Sequence, residues 1–275
     1  NSLEILRWNS DKSYLFDVEK MGFPVISGKK LAAQSSIQKD DFEGLPSDEF
    51  VIKPLISGGA KNTFRLDKKH VQDFLPKLNS LLEKESFLLQ PFVKEVAEVG
   101  EYSLIYFNSI FSHAVLKTPA KEAFRVQHYF GGTIKAFHPD QLLLDSVQVL
   151  VDRFCQNSLY VRVDGVIISG VFHLMELEMI EPYLFLVESE GARKNYKEAL
   201  ERRFGRVEML ILSEIENVKR MPKLAEDGRN IGTFASRVTN TVAAIRALKQ
   251  PQYLYSPELV SRIVEKLGTV IKFIL

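Results

Sequence analysis

The 275-residue sequence predicts an α+β protein, with antiparallel sheet pieces flanked by helices. Three observations predict it. Runs such as "YSLIYFNSIFSHAVLKTP" have strand character around a turn at Asn108–Ser109. Runs such as "KHVQDFLPKLNSLLEKES" and "DQLLLDSVQVLVDRFCQN" carry helical spacing. From about residue 189 the texture changes to charged helix, beginning with "EGARKNYKEALERRF".

Taken in order, "SDKSYLFDVEKM" predicts a short amphipathic helix that Ser10 or Asp11 caps and that Gly22 and Pro24 end. "FPVIS" reads as a short strand, 38–48 as a polar, turn-rich segment, and "EFVIKPL" as a strand leading into the loop "ISGGAKN". The helix that follows contains the awkward Pro76. "FLLQPFV" is a strand and "KEVAEVGE" a connection before the hairpin. "AKEAFRVQHYFGGT" is a loop, and beyond the next helix "YVRVDGVIISGVFHLMELEMIEP" forms a further strand pair. Two last helical runs, "TFASRVTNTVAAIRALK" and "PELVSRIVEKLG", carry no obvious chemistry.

The composition, 45% hydrophobic and 26% charged, is that of a globular protein with a substantial core. A formal charge of +1 argues against nucleic acid or an anionic membrane as the main partner. The single cysteine, Cys155, excludes an internal disulfide and a cysteine-based zinc site, and it fits a reducing compartment. No apolar run approaches 18 residues and no signal peptide is evident, so a cytoplasmic location is expected. The first residue is Asn1, not Met, which suggests a piece of a longer product.

The chemistry concentrates in residues 160–182, where Arg162, Asp164, Glu176, Glu178 and Glu181 interrupt buried-looking strands. Residues two apart on a strand share a face, so Arg162 goes with Asp164 and Glu176 with Glu178. A two-residue turn at Ser169–Gly170 places Asp164 opposite Met175 and separates the acids. A three-residue turn, or a bulge, places Asp164 opposite Glu176 and Arg162 opposite Glu178. Carboxylates gathered in that way repel, and a hard divalent cation with oxygen ligands relieves the repulsion. The alternative is a solvent-facing strand pair with cross-strand Arg–Glu pairing.

Other features bear on that choice. Lys53, in "VIKP", precedes the small-residue loop Ser57–Gly58–Gly59, and a lysine beside a glycine loop suits phosphate, although no Walker A pattern is present. Glu95, Glu98 and Glu101 follow a strand end and offer a carboxylate for a ribose diol or simply a solvated charge run. Arg125 and the Gly131–Gly132 pair form an anion-gripping loop or a tight surface turn. The histidines have no metal-site spacing, His128 and His173 read as packing or hydrogen-bonding residues, and no Ser–His–Asp or Cys–His arrangement can be argued.

In this order, "SDKSYLFDVEKMGFPV", "FVIKPLISGG", "LLQPFVKEVAEVGEYSL", "AFRVQHYFGGT" and "YVRVDG…MELEMIEP" resemble the ATP-grasp superfamily over roughly residues 5–200. The likeness points to the branch of glutathione synthetase-like and ribosomal-protein-modifying ligases, and especially the cycloserine-biosynthesis type. The resemblance implies two α+β subdomains whose antiparallel sheets clasp a nucleotide. Residues 1–204 form the ATP-grasp domain, with about 38–93 as a smaller lid-like subdomain, and 205–275 are a helical extension. It implies that Lys12 and Lys53 reach the ATP phosphates beneath Ser57, Gly58 and Gly59. Gln90, Pro91, Phe92 and Val93 meet adenine, Glu101 takes the ribose, and Lys117 and Arg125 lie near the γ-phosphate and acyl substrate. The resemblance further implies that Arg162 stabilises the acyl-phosphate transition state. Asp164, Glu176 and Glu178 hold Mg²⁺, or Mn²⁺ in its place, with Glu178 where many relatives carry Asn.

The function so implied is ATP-dependent carboxylate–amine ligation of a small-molecule or peptide substrate through an acyl phosphate. Members of the superfamily normally carry an α/β subdomain before the Asp-Lys segment, and this sequence begins almost at that lysine. The resemblance therefore also allows a nucleotide-binding module without ligation, or a homo-oligomer or partner subunit that supplies the missing subdomain.

Overall fold

The computed structural model describes residues 1–43, 45, 47–58, 61–119, 132–220 and 231–247. It divides into two compact units, Asn1–Tyr196 and Lys197–Leu275. Gly59, Arg125, His128, Gly131 and the run "PELVSRIVEKLG" lie outside the described residues.

The first unit opens with two short helices, α1 (Leu3–Asn9) and α2 (Tyr14–Lys20). Four strands follow, β1 (Lys29–Leu31), β2 (Glu49–Pro54), β3 (Phe64–Asp67) and β4 (Phe87–Pro91), with α3 (Val71–Leu82) between the last two. They form an antiparallel sheet in the order β1-β4-β2-β3. Alternation along β2 buries Phe50 and Ile52, which pack with Phe87, Leu89 and the Leu75, Leu78 and Leu82 face of α3. Val51 and Lys53 therefore turn to the opposite face. Pro76 is tolerated in α3 because it sits on the exposed side, where the carbonyl it leaves without a partner can meet water.

After the single turn α4 (Lys94–Glu98), a second antiparallel sheet is built from β5 (Glu101–Phe107), β6 (Ile110–Thr118), β7 (Thr133–Phe137), β8 (Tyr160–Ile168) and β9 (Val171–Glu178). Its order is β7-β6-β5-β8-β9. One face of this sheet, with Leu104, Tyr106, Val161, Val163 and Leu177, packs on α5 (Gln141–Phe154) and on Tyr14, Leu15 and Val18 of α2. Asp140 caps α5 through its carboxylate, which accepts from the Leu143 N–H at 2.8 Å. The helix α6 (Ala192–Lys219) leaves this unit and breaks at Gly205, where φ is 73° and ψ is 161°. The second unit contains the rest of α6 and α7 (Ile231–Ala247). Among the described residues no helix is long and apolar enough to cross a membrane.

The β8–β9 hairpin turns at Ser169–Gly170, both with positive φ (50° and 81°), as a two-residue hairpin loop requires. The register then shifts at Asp164/Gly165, so that Met175 is the extra residue and Asp164 faces Glu176 while Arg162 faces Glu178. The bulge thus restores the pairing that a two-residue turn alone would have lost. Gly165 makes room for it, since a Cβ there would run into the Phe172 ring and lie 2.5 Å from the His173 carbonyl oxygen.

The free edge of β9 is closed by the N-terminal segment. Leu174 exchanges backbone hydrogen bonds with Pro24 (2.9 Å) and Ile26 (3.0 Å), and the Tyr14 hydroxyl accepts from Leu177 N (2.7 Å) while donating to Leu177 O (3.1 Å). Asn9 donates to Leu177 O (2.8 Å) and accepts from Met179 N (3.0 Å). The strand expected at "FPVIS" is only a parallel bridge, Val25 to Leu174, because Pro24 lacks an N–H and the Ile26 carbonyl is taken by the Gln90 side chain. The sequence reading missed α1, β1, β3 and β7, and placed a plain connection where α4 forms.

Gly165→Ala should lower stability by about 1–3 kcal/mol, the usual cost of forcing a methyl group into a filled site. A urea midpoint that does not move would show that the bulge does not depend on this glycine.

Candidate functional site

Three cross-strand rows on one face of the five-stranded sheet carry most of its charge. Lys117 pairs across with Glu101; Val115, Ser103, Asp164 and Glu176 form the second row; His113, Ile105, Arg162 and Glu178 form the third. The opposite parity is the apolar face under α5, so strand alternation alone separates core from site.

Asp164 is the hub. Its side chain is 3% exposed. The Arg162 guanidinium grips it through Nη2 at 2.7 Å and Nε at 3.0 and 3.1 Å, Lys117 Nζ lies at 3.4 Å, and the Ser103 hydroxyl donates to it. Burial alone would raise its pKa, but the charges of Arg162 and Lys117 and these hydrogen bonds hold it well below the usual carboxylate range. Burial works against the Lys117 ammonium, yet Asp164 and Glu101 outweigh it and keep its pKa raised. Glu101 is raised by burial, with its ion pair to Lys117 opposing. Glu178, although paired with Arg162, is pushed up to about 7 by burial and by the charge of Asp164.

Above this network a cleft of about 720 Å³ opens between the two sheets. Lys12, Lys53, Ser57, Gly58, Gln90, Pro91, Phe92, Val93, Glu101, Glu176 and Glu178 line it, so the structure brings most of the sequence-derived candidates together. Arg162, Asp164 and Lys117 lie in the network beneath. The Lys12 backbone N–H is tied to Leu55 O (3.0 Å), and its Nζ meets Glu176 (3.0 Å) and Ser57 O (3.1 Å). The Lys53 side chain makes no hydrogen bond or ion pair with a described residue. Burial lowers its pKa, with the nearby charge of Glu176 opposing and that of Lys12 adding to the effect. Gln90 turns its side chain to Ile26 O, and Phe92 lies 3.7 Å under the Arg65 guanidinium, which Glu49 holds in a bidentate pair. Glu95 and Glu98 do not line the cleft.

The sequence reading missed Ser103, Asn9, Tyr14 and the Tyr183 carbonyl, which accepts from Arg162 Nη1 at 3.0 Å. Ser103 had a signal, since it stands two residues after Glu101 and thus on the same face. The others act through or upon backbone groups and leave no residue pattern.

The fit of a divalent cation can be judged from the donors. Glu176 and Glu178 share a face, line the cleft and keep 28% and 31% side-chain exposure, which suits a hard cation that completes its shell with phosphate oxygens and water. Asp164 differs, since its oxygens are already occupied by Arg162, Lys117 and Ser103. Among the described residues no group of three acidic, His or Cys side chains is arranged to hold a metal, and Asp164, Glu176 and Glu178 are each met by a basic side chain of the protein.

No protein-family model matches the chain. Over 120 residues, 42% of this chain and 40% of that protein, it is 32% identical to the cycloserine biosynthesis protein DcsG of Streptomyces lavendulae. The match thus spans well under two thirds of that relative. The crystal structure of D-cycloserine synthetase DcsG is similar over 74% of this chain and 72% of its own, with TM-score 0.65 and 27% identity. D-alanine–D-alanine ligase from Bacillus anthracis, complexed with ATP, is similar over 70% and 64% (TM-score 0.54, 16% identity). The ATP-grasp ligase PsnB complexed with its minimal precursor is similar over 74% and 63% (TM-score 0.55, 12% identity).

Lys117→Met should cost about 3–5 kcal/mol at pH 8, because it leaves Glu101 buried without its cation. Glu101 then titrates higher in the folded than in the unfolded chain, so the folded state holds the extra proton and the deficit shrinks as pH falls toward 5. Adding Glu101→Gln should recover most of the loss. Denaturant melts at the two pH values check both statements, and equal deficits would refute the charge argument.

Proposed function

Starting from a chain that has the ATP-grasp fold and is a sequence relative of D-cycloserine synthetase DcsG, we propose that it is an ATP-dependent ligase that joins a carboxylate to an amine. The observation that carries this reading is Lys53. In a cleft whose other cations are already paired, it is a positive charge with no partner among the described residues, placed for a triphosphate.

Lys53 and Lys12 would bind the phosphates, with the backbone of Ser57 and Gly58 close by and Gln90 to Val93 along the adenine edge. A carboxylate oxygen of the substrate attacks the γ-phosphorus, the bond to ADP breaks, and an acyl phosphate forms. The amine then attacks the acyl carbon, phosphate leaves and the amine loses its proton. Arg162 would offset negative charge that builds on the transferring group. Glu176 and Glu178 would hold a divalent cation, Mg²⁺ or Mn²⁺, which supplies charge neutralisation on the phosphates when bound. Asp164 joins that set only by exchanging Arg162 or Lys117. Arg125 retains its proposed place near the acyl substrate on the strength of the sequence resemblance. No side-chain nucleophile is needed.

The direct test is ADP release on mixing protein, Mg-ATP and a panel of amino acids. Release that depends on an added acceptor is expected. Tight ATP binding with no release would leave a nucleotide-binding module instead. Lys53→Met should weaken ATP binding by about ten- to a hundredfold, the worth of one or two charge-assisted contacts.

Glu176→Gln separates the metal from the phosphate role. Removing this carboxylate frees Lys12, so affinity for metal-free ATP should hold or rise while affinity for Mg-ATP falls. Calorimetric titrations with and without Mg²⁺ read the two, and a parallel change in both would refute the assignment.

A further inference from the structure

His113 shares a sheet face and a cross-strand row with Arg162 and Glu178, yet it makes no ion pair with the charged network. It is 4% exposed, and its two ring nitrogens are both engaged. Nε2 lies 2.9 Å from Leu184 O, and a carbonyl can only accept, so Nε2 carries the proton. Nδ1 therefore accepts from the Ser112 hydroxyl (2.9 Å), whose oxygen also accepts from Asn195 Nδ2 (3.1 Å).

Leu184 sits in a strap with no regular secondary structure, bracketed by Glu181 and Phe185, both with φ of 50°. A glutamate in the left-handed region directly before a proline is doubly disfavoured, so the surroundings hold this path in place. The residues on either side of Leu184 are the ones that touch Arg162. Tyr183 O accepts from Arg162 Nη1 at 3.0 Å, and the Phe185 ring centre lies 5.5 Å from the guanidinium. The two rings also meet edge to face at 4.9 Å.

We propose that His113 is a positioning residue for Arg162. Its N–H to Leu184 O fixes the strap, and the strap fixes the guanidinium between Asp164 and Glu178, beneath the cleft. Without that pin, Nη1 loses its carbonyl, and the two-point grip on Asp164 leaves the guanidinium a hinge motion about its Nε–Nη2 edge. The consequence for rate rests on the ligase reading above; the placement of Arg162 does not. Misplacing a charge-stabilising group by about 1 Å can cost about a hundredfold in turnover.

Two polar variants separate the roles of the ring nitrogens. In His113→Gln the amide nitrogen reaches the place of Nε2, whereas in His113→Asn it reaches that of Nδ1. The Arg162 Nε–H signal in nitrogen-15 NMR should stay in place with Gln and move with Asn. In acceptor-dependent ADP release, Asn should lower kcat by about a hundredfold with KM for ATP held within about threefold, and Gln should restore it. If His113→Asn does not fold, Ser112→Ala, which removes the hydroxyl that holds the ring in place through Nδ1, should move the same signal in the same direction. An Arg162 signal that is unmoved in folded His113→Asn or Ser112→Ala overturns the proposal, as does a change confined to KM. A wild-type protein that releases no ADP with any acceptor refutes the ligase reading, while the Arg162 signal still decides the placement.

Discussion

Asp164 is the interaction on which the rest of the site depends. An isolated carboxylate with 3% side-chain exposure would cost several kcal/mol, and only the close approach of Arg162, Lys117 and Ser103 makes it tolerable. Each partner is then constrained in turn. Lys117 must reach Asp164 and Glu101 together, and Arg162 must span Asp164, Glu178 and the Tyr183 carbonyl. Five carboxylates, Glu181 included, and four cations are thus packed about one cleft, with Lys12 on Glu176 and Lys53 left over. A polyanion that enters competes for Lys12 and, through it, releases Glu176. A divalent cation that binds Glu176 releases Lys12 for phosphate. Under the proposed function the two ligands therefore favour each other by electrostatics alone, with no domain movement required.

That arrangement requires β9 to be held to a fraction of an ångström, although β9 is the edge of its sheet. Edge strands ordinarily leave unpaired backbone groups that invite fraying or association. Here the N-terminal segment substitutes for a missing strand: Pro24 and Ile26 pair with Leu174, and Tyr14 and Asn9 close the groups at Leu177 and Met179. Lys12 lies between Asn9 and Tyr14 in sequence. The same short stretch that seals the strand thus also delivers a cation to Glu176, whose neighbour Leu177 it holds.

Much of this was legible in the sequence, and the limits are physical. Alternation assigned Arg162 with Asp164 and Glu176 with Glu178 without ambiguity, because the strand period is two. Whether the pairs meet was not decidable from "ISG", since a two-residue turn and a one-residue bulge cancel in parity and neither has a residue signature of its own. Gly165 was the available hint, a glycine inside a strand run. The strands β1, β3 and β7 were missed because they are three to five residues long, too few for periodicity to show. Asn9, Tyr14 and His113 were missed for a different reason. Their long-range partners are main-chain groups, and a backbone group is the same whatever side chain its residue carries.

The chemistry proposed for the cleft places unusual weight on such main-chain partners. Two steps of phosphoryl and acyl transfer need no nucleophile from the protein, only charges set where negative charge will develop. His113 agrees with this: it is lowered by burial, its Nε2–H is committed to Leu184 O and its Nδ1 to the Ser112 hydroxyl, so it is not free to serve as a base. Rate then depends on where Arg162 points. Its contacts with Asp164 are strong, but a grip through Nε and Nη2 leaves a hinge about that edge, and Glu178 is met by the same Nη2, so neither carboxylate holds Nη1. The neutral third contact, Tyr183 O, is insensitive to pH and to arriving ions, which is why the orientation of the guanidinium rests on the strap rather than on its stronger partners.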